Sequence, residues 1–207
     1  LMAAVAGGAD YVFTPEDPAG PGWQDDLAEH LRLGREAGRR ESIVLVAEGA
    51  YDRDGNELST QLIADTIQER TGEDARVTIL GHVQRGGAPS AYDRWMSTLL
   101  GYAAVQEILE STAEDEPVIL GVRRNRITRI PLMKAVHDTR AVKDLIAAGD
   151  YAAAQASRGS SFSSMVGINQ ILSTPPQLTP EPTGEIKRVA ILHAGGLAPG
   201  MNTAARV

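Results

Sequence analysis

The chain has 207 residues, 43% apolar and 23% charged, with a net charge of −7, no cysteine and only 4% aromatics. That balance suits one or two globular domains built on Leu, Ile, Val, Ala and Met, and it excludes disulfide and thiolate chemistry. The acidic surface argues against nucleic acid or an anionic membrane as the main partner. No run reaches the roughly 20 apolar residues of a membrane span and no basic stretch opens the chain as in a signal peptide, so a cytoplasmic globular protein is expected.

Residues 1–8 read as the second half of a buried helix stopping at glycine. Tyr11-Val12-Phe13 suits a short buried strand, residues 18–22 a loop, and residues 23–37 a helix with Leu27 and Leu31 one turn apart. Ser42 to Ala47 is a continuous apolar run of strand length, as in a parallel sheet covered on both faces. Asp54-Gly55-Asn56 marks a turn, and Ser59 caps a helix running to Arg70 with Gly72 just after it. Residues 76–80 read as another strand and residues 81–89 as a glycine-rich loop. Ser90 and Asp93 make a capping-box start for a long helix to Leu109, with Met96, Leu99, Leu100, Ala103 and Leu109 on one face. After an acidic loop come strands at 118–122 and 127–130 and helices at 131–148, 151–157 and 162–172.

Residues 173–184 hold four prolines, the composition of a linker. The pattern then restarts: a strand at 187–193, the tight loop from Gly195 to Gly200, and a helix opening at Asn202, which is how a nucleotide-binding α/β domain commonly begins. The organisation expected is the end of one α/β domain at 1–172, a Pro-rich linker at 173–186, and the start of another domain at 187–207. Half a helix cannot bury its stripe, so both ends of the chain are expected to be cut.

Three features bear on chemistry. Residues 76–87 place Arg76 at one end of the expected strand and deliver His82 and Arg85 into a loop where Gly86 and Gly87 let backbone approach a ligand. A guanidinium fork matches phosphate oxygens in a bidentate way, and a phosphate dianion favours protonated histidine. Spacing alone equally allows a satisfied loop histidine and two solvated arginines. Glu48 follows the apolar strand and could accept sugar hydroxyl protons, although an ordinary surface glutamate fits the spacing better.

Leu80-Gly81-His82-Val83-Gln84-Arg85-Gly86-Gly87-Ala88-Pro89-Ser90-Ala91-Tyr92-Asp93-Arg94 closely resembles the LGHxQRGGxPSxxDR signature of 6-phosphofructokinases. Val46-Ala47-Glu48-Gly49-Ala50 resembles the family's VAEGA strand end, and Ala6 to Asp10 with Pro15-Glu16 resembles the segment before it. Ile130-Pro131-Leu132-Met133 and Arg158-Gly159-Ser160-Ser161-Phe162 resemble the end of the first half of duplicated phosphofructokinases, and Ala194 to Asn202 resembles the GGDxPGMN opening of the second. The resemblance covers nearly the whole chain to about Leu172.

The resemblance implies a three-layer α/β/α parallel-sheet fold, incomplete in this fragment, and a glycolytic, allosteric parent that moves a phosphoryl group from ATP to fructose 6-phosphate with Mg2+. A pyrophosphate-dependent enzyme and a non-catalytic regulatory chain are the alternatives. By position, Glu48 matches the acid that binds the fructose hydroxyls, and His82 and Arg85 match ligands of fructose 6-phosphate. Arg76 matches an arginine that reaches a neighbouring subunit's 6-phosphate, so a homo-oligomer (dimer or tetramer) is implied. Asp10, Arg39 and Arg206 match an effector site, and Gly196 a nucleotide loop. The family's catalytic carboxylate sits in a TIDND-like motif and its donor loop in a GGDG-like one, neither of which occurs here, so the fragment is expected to be inactive alone. Leu197 stands where the family usually has Asp, which implies a second half that reads an effector.

Overall fold

The computed structural model describes residues 1–174 and Ala190. In chain order come α1 (Met2–Gly7), β1 (Tyr11–Phe13), α2 (Trp23–Glu36), β2 (Val44–Val46), α3 (Thr60–Thr71), a 3₁₀ turn (Gly81–Arg85), α4 (Ala91–Glu110), β3 (Val118–Arg123), β4 (Arg126–Pro131), α5 (Leu132–Ala147), α6 (Tyr151–Ser157) and α7 (Ser160–Ser173). They fall into two compact units: Leu1–Ala75 together with the chain from Ser164, and Arg76–Ser163. The expected second-half strand and its glycine loop lie outside the described residues, as do all but the first two residues of the linker.

The first unit is organised by one apolar cluster of Phe13, Trp23, Leu27, Leu31, Ala50, Leu58, Ile63 and Ile67. Trp23, Leu27 and Leu31 stand four residues apart, so they share one face of α2, and Ile63 and Ile67 do the same on α3. Phe13 meets Trp23 edge-on with ring centroids 5.5 Å apart, the geometry that ring quadrupoles prefer. The ends of the helices are where the sequence places them. Ser59 Oγ accepts from the Leu62 N–H at 3.1 Å to start α3. Gly8 and Gly72 end α1 and α3 in the left-handed conformation, which costs glycine little.

β1 and β2 pair in parallel, Tyr11 with Val44 and Phe13 with Val46. The strand expected from Ser42 to Ala47 shrinks to three half-buried residues, and Ile43 is exposed. The reason is the lack of a second neighbour: among the described residues β2 hydrogen-bonds to β1 alone.

The second unit has α4 to α6 and an antiparallel β3–β4 hairpin. α4 starts on the expected capping box: the Asp93 N–H donates to Ser90 Oγ at 3.2 Å, and the Ser90 N–H donates to Asp93 Oδ2 at 2.7 Å. No residue of this 20-residue helix is buried; Met96, Leu99, Leu100 and Ala103 are half-buried, and Leu109 is exposed. One expectation fails. Residues 76–80 form no strand, and Val77 and Ile79 are exposed. Apolar alternation supplies a strand's side chains, but a strand also needs a hydrogen-bonding neighbour, and none pairs with it among the described residues.

Candidate functional site

His82 and Arg85 sit on the 3₁₀ turn Gly81–Arg85, not at the end of a strand. The turn is closed by the Val83 N–H donating to the Leu80 carbonyl at 3.1 Å. With three residues per turn, positions i and i+3 of a 3₁₀ helix eclipse one another. His82 and Arg85 therefore project from the same side of the backbone. Gly86 then adopts φ 135°, a conformation closed to most side chains, and turns the chain toward α4.

The far side of the loop is pinned by Arg94, whose guanidinium donates to the Pro89 carbonyl at 2.8 Å, and by the Ser90–Asp93 box. Hydrogen bonding to Ser90 holds the Asp93 carboxyl below the usual carboxylate range. Arg94 went unassigned from spacing; its signal was a cation in the first turn of a helix, where the macrodipole disfavours it, so it needs a reason to be there. The carbonyl it grips is that reason.

Arg76, His82 and Arg85 are exposed, and none of their side chains has a hydrogen bond or ion pair among the described residues. The loop thus offers a fork and an imidazole with no partner, and Arg76 stands six residues before His82 in the chain; guanidinium and imidazole are donors that a phosphoryl group takes. Glu48 belongs to the other unit. It lies two residues beyond β2, exposed and without a partner, on a turn whose next residue, Gly49, adopts φ 75°.

Asp10 and Arg39 are brought together, but into each other. Arg39 Nη1 lies 2.7 Å from Asp10 Oδ1, with side-chain exposures of 25% and 12%. Asp10 Oδ2 also accepts from the Ile43 N–H at 2.8 Å. Gly34 makes room for this: a Cβ there would lie 3.2 Å from Arg39 Cδ. His30, which spacing did not single out, stands beside the pair. It meets Tyr11 edge-on, and its Nε2 is buried with no hydrogen-bond partner. Burial, reinforced by the Arg39 charge, pushes the imidazole below its ordinary pKa. Its signal was position, three residues from Leu27 on the buried side of α2. Gly196 and Arg206 lie outside the described residues.

The sequence profile described as "Phosphofructokinase" matches residues 1–108, more than half of the chain. The chain belongs to the phosphofructokinase family. An ATP-dependent 6-phosphofructokinase of Aspergillus niger is 44% identical over all of this chain, which spans 27% of that relative. The liver type of Homo sapiens is 39% identical, again over the whole chain and 26% of the relative. Among solved structures, Pichia pastoris phosphofructokinase in the T-state aligns with 83% of the chain and 18% of its own length, at 40% identity and a TM-score of 0.77. The Saccharomyces cerevisiae structure aligns with a TM-score of 0.76 at the same 40% identity. These are the long eukaryotic proteins of two halves that the duplicated motifs imply, and the chain has their α/β fold. It spans about a quarter of the curated relatives it matches.

Proposed function

We propose that this chain is the acceptor-binding part of an ATP-dependent 6-phosphofructokinase, which moves the γ-phosphoryl group of ATP to the 1-hydroxyl of fructose 6-phosphate in glycolysis. The observation that carries this is the 3₁₀ turn: His82 and Arg85 share one side of it, exposed and unpaired, inside the family's signature. The relatives are ATP-dependent 6-phosphofructokinases, which favours ATP over pyrophosphate as the donor.

In this reading Arg85 and His82 take the 6-phosphate, and Arg76 adds a further contact, to its own subunit's ligand or to a neighbour's in a dimer or tetramer. Glu48 accepts hydrogen bonds from the sugar hydroxyls and fixes the ring's orientation. Phosphoryl transfer needs little covalent help from the protein, so positioning of this kind lowers the barrier by making the attack effectively intramolecular. No group of three or more His, Asp or Glu side chains among the described residues could hold a metal ion, so no residue here is assigned to magnesium. Asp10, Arg39 and Arg206 are the effector contacts of this reading, and an anion would have to take Arg39 from Asp10. Gly196 belongs to the nucleotide loop of a second half that begins near residue 187, beyond the 173–186 linker. A cytoplasmic location follows from the pathway.

The test is to assay the full-length protein for phosphorylation of fructose 6-phosphate with ATP and, separately, with pyrophosphate. Turnover with ATP is expected. Turnover only with pyrophosphate would change the donor, and binding of fructose 6-phosphate without turnover would make this a regulatory chain.

A further inference from the structure

The β3–β4 hairpin carries a charge arrangement that the sugar-phosphate reading does not use. Its tip reads Arg123-Arg124-Asn125-Arg126, three cations in four residues of a chain whose net charge is −7. Arg124 and Asn125 both have positive φ, 53° and 59°, which makes a two-residue type I′ turn and fixes the register. That register sets Arg123 directly opposite Arg126. Like charges directly opposed across a ladder repel and weaken the hairpin. All three arginines are exposed, and none has an anionic partner among the described residues. Arg129, further down the hairpin, does have one in Glu107, at 2.5 Å.

The step beneath the opposed pair is half-buried but thinly furnished with side chains. Side chains alternate along a strand, so the next pair on that face is Gly121 opposite Thr128. Gly121 has no side chain, and Thr128 Oγ1 is held only by a long 3.4 Å bond to the Gly121 carbonyl. A ligand lying on this step would meet two guanidinium forks from above and a hydroxyl beside it.

We propose that the Arg123–Arg126 tip is a binding site for a small polyanion bearing phosphoryl oxygens, separate from the sugar-phosphate loop. A multiply charged phosphoryl ligand turns the repulsion between the two forks into two attractions to one partner, and each fork can pair with it in a bidentate way. The charge complementarity is local: the tip is basic while the chain as a whole is acidic.

The test is calorimetric titration of the full chain with sodium tripolyphosphate at fixed ionic strength, repeated with inorganic phosphate. Arg123→Gln with Arg126→Gln should weaken the tripolyphosphate site at least tenfold, whereas Arg85→Gln should leave that site intact. Arg126→Thr alone, studied without added anion in low salt, should raise the thermal midpoint because it removes the opposed charge. Unchanged tripolyphosphate affinity in the double Gln variant would overturn the proposal. So would a loss reproduced in full by Arg85→Gln, since the anion would then occupy the loop. A response to inorganic phosphate as strong as that to tripolyphosphate would also count against it, because a single phosphate carries too little charge to need both forks.

Discussion

The two units of this chain obey the same local rules and reach different ends. In Leu1–Ala75 the caps, stripes and strands lead into a packed cluster, with Leu27 fully buried and Phe13 and Trp23 nearly so. In Arg76–Ser163 the signals are equally clear: a full capping box opens α4 and an aligned hairpin follows. Yet α4 buries no residue, and Ala154 is the one buried apolar residue of that unit among those described. Local propensity and capping therefore form an element without deciding whether it has a core. The first unit invests its side chains in packing. The second leaves Arg76, His82, Arg85 and much of its apolar surface exposed, with few buried apolar side chains to hold it, which is the mark of a less stable region.

That contrast can be broken at its strongest point. Leu27→Ala should destabilise the first unit by roughly 2–5 kcal/mol, since a fully buried leucine loses both transfer energy and packing. Leu99→Ala on half-buried α4 should cost clearly less, and equal losses in chemical denaturation would erase the difference between the units. Arg85→Ala sits on the other side of the ledger. On the proposed function it should leave the denaturation midpoint near its original value and raise the KM of the full-length protein for fructose 6-phosphate, because losing a charge-assisted phosphate contact costs about 1.5–3 kcal/mol. An unchanged KM would remove Arg85 from the site. Ser90→Ala removes the cap that ends the same loop and should cost about 1 kcal/mol, read as helix loss by circular dichroism. Smaller still, and opposite in sign, Arg124→Asn should stabilise the hairpin by up to about 1 kcal/mol, because asparagine tolerates the left-handed backbone that arginine resists.

How much of this was legible depends on what each signal requires. Helices were readable because their signals are local: Ser59 and Gly72 bracket α3, Ser90 and Asp93 open α4, and Gly8 closes α1. Residues 76–80 misled because a strand's partner is not written in its own residues, and the run from Ser42 was over-extended for the same reason. At the candidate site, the signature from Leu80 to Arg94 singles out His82 and Arg85, but the 3₁₀ turn that aligns them, between Leu80 and Gly86, reads in the sequence only as a glycine-rich loop. Asp10 and Arg39 were named together as positions of one effector site; that they pair with each other, in the space that Gly34 leaves, depends on packing between distant parts of the chain.

His30 offers the finest test, because it asks whether the packed unit carries an electrostatic cost of its own. Its Nε2 is buried without a partner, and Arg39 stands nearby. Asp10 opposes the effect, through its charge and a backbone hydrogen bond, yet burial dominates and the pKa in the fold lies below the unfolded 6.5. The unfolded chain then binds a proton at a higher pH than the folded one does, so stability rises with pH in that window. The contribution is intact above about pH 6.5, is lost progressively as pH falls toward the lowered pKa of the folded state, and changes no further below it. His30→Gln removes the titration and keeps a polar side chain of similar length. Urea midpoints compared at pH 7.5 and 5.5 should fall less in the variant than in the parent chain, and the histidine's own titration, followed by its ring proton shifts, should centre below pH 6.5. An identical fall in both proteins would mean that water or Asp10 satisfies the ring fully, and that the packed unit accommodates its buried histidine at no cost in this pH range.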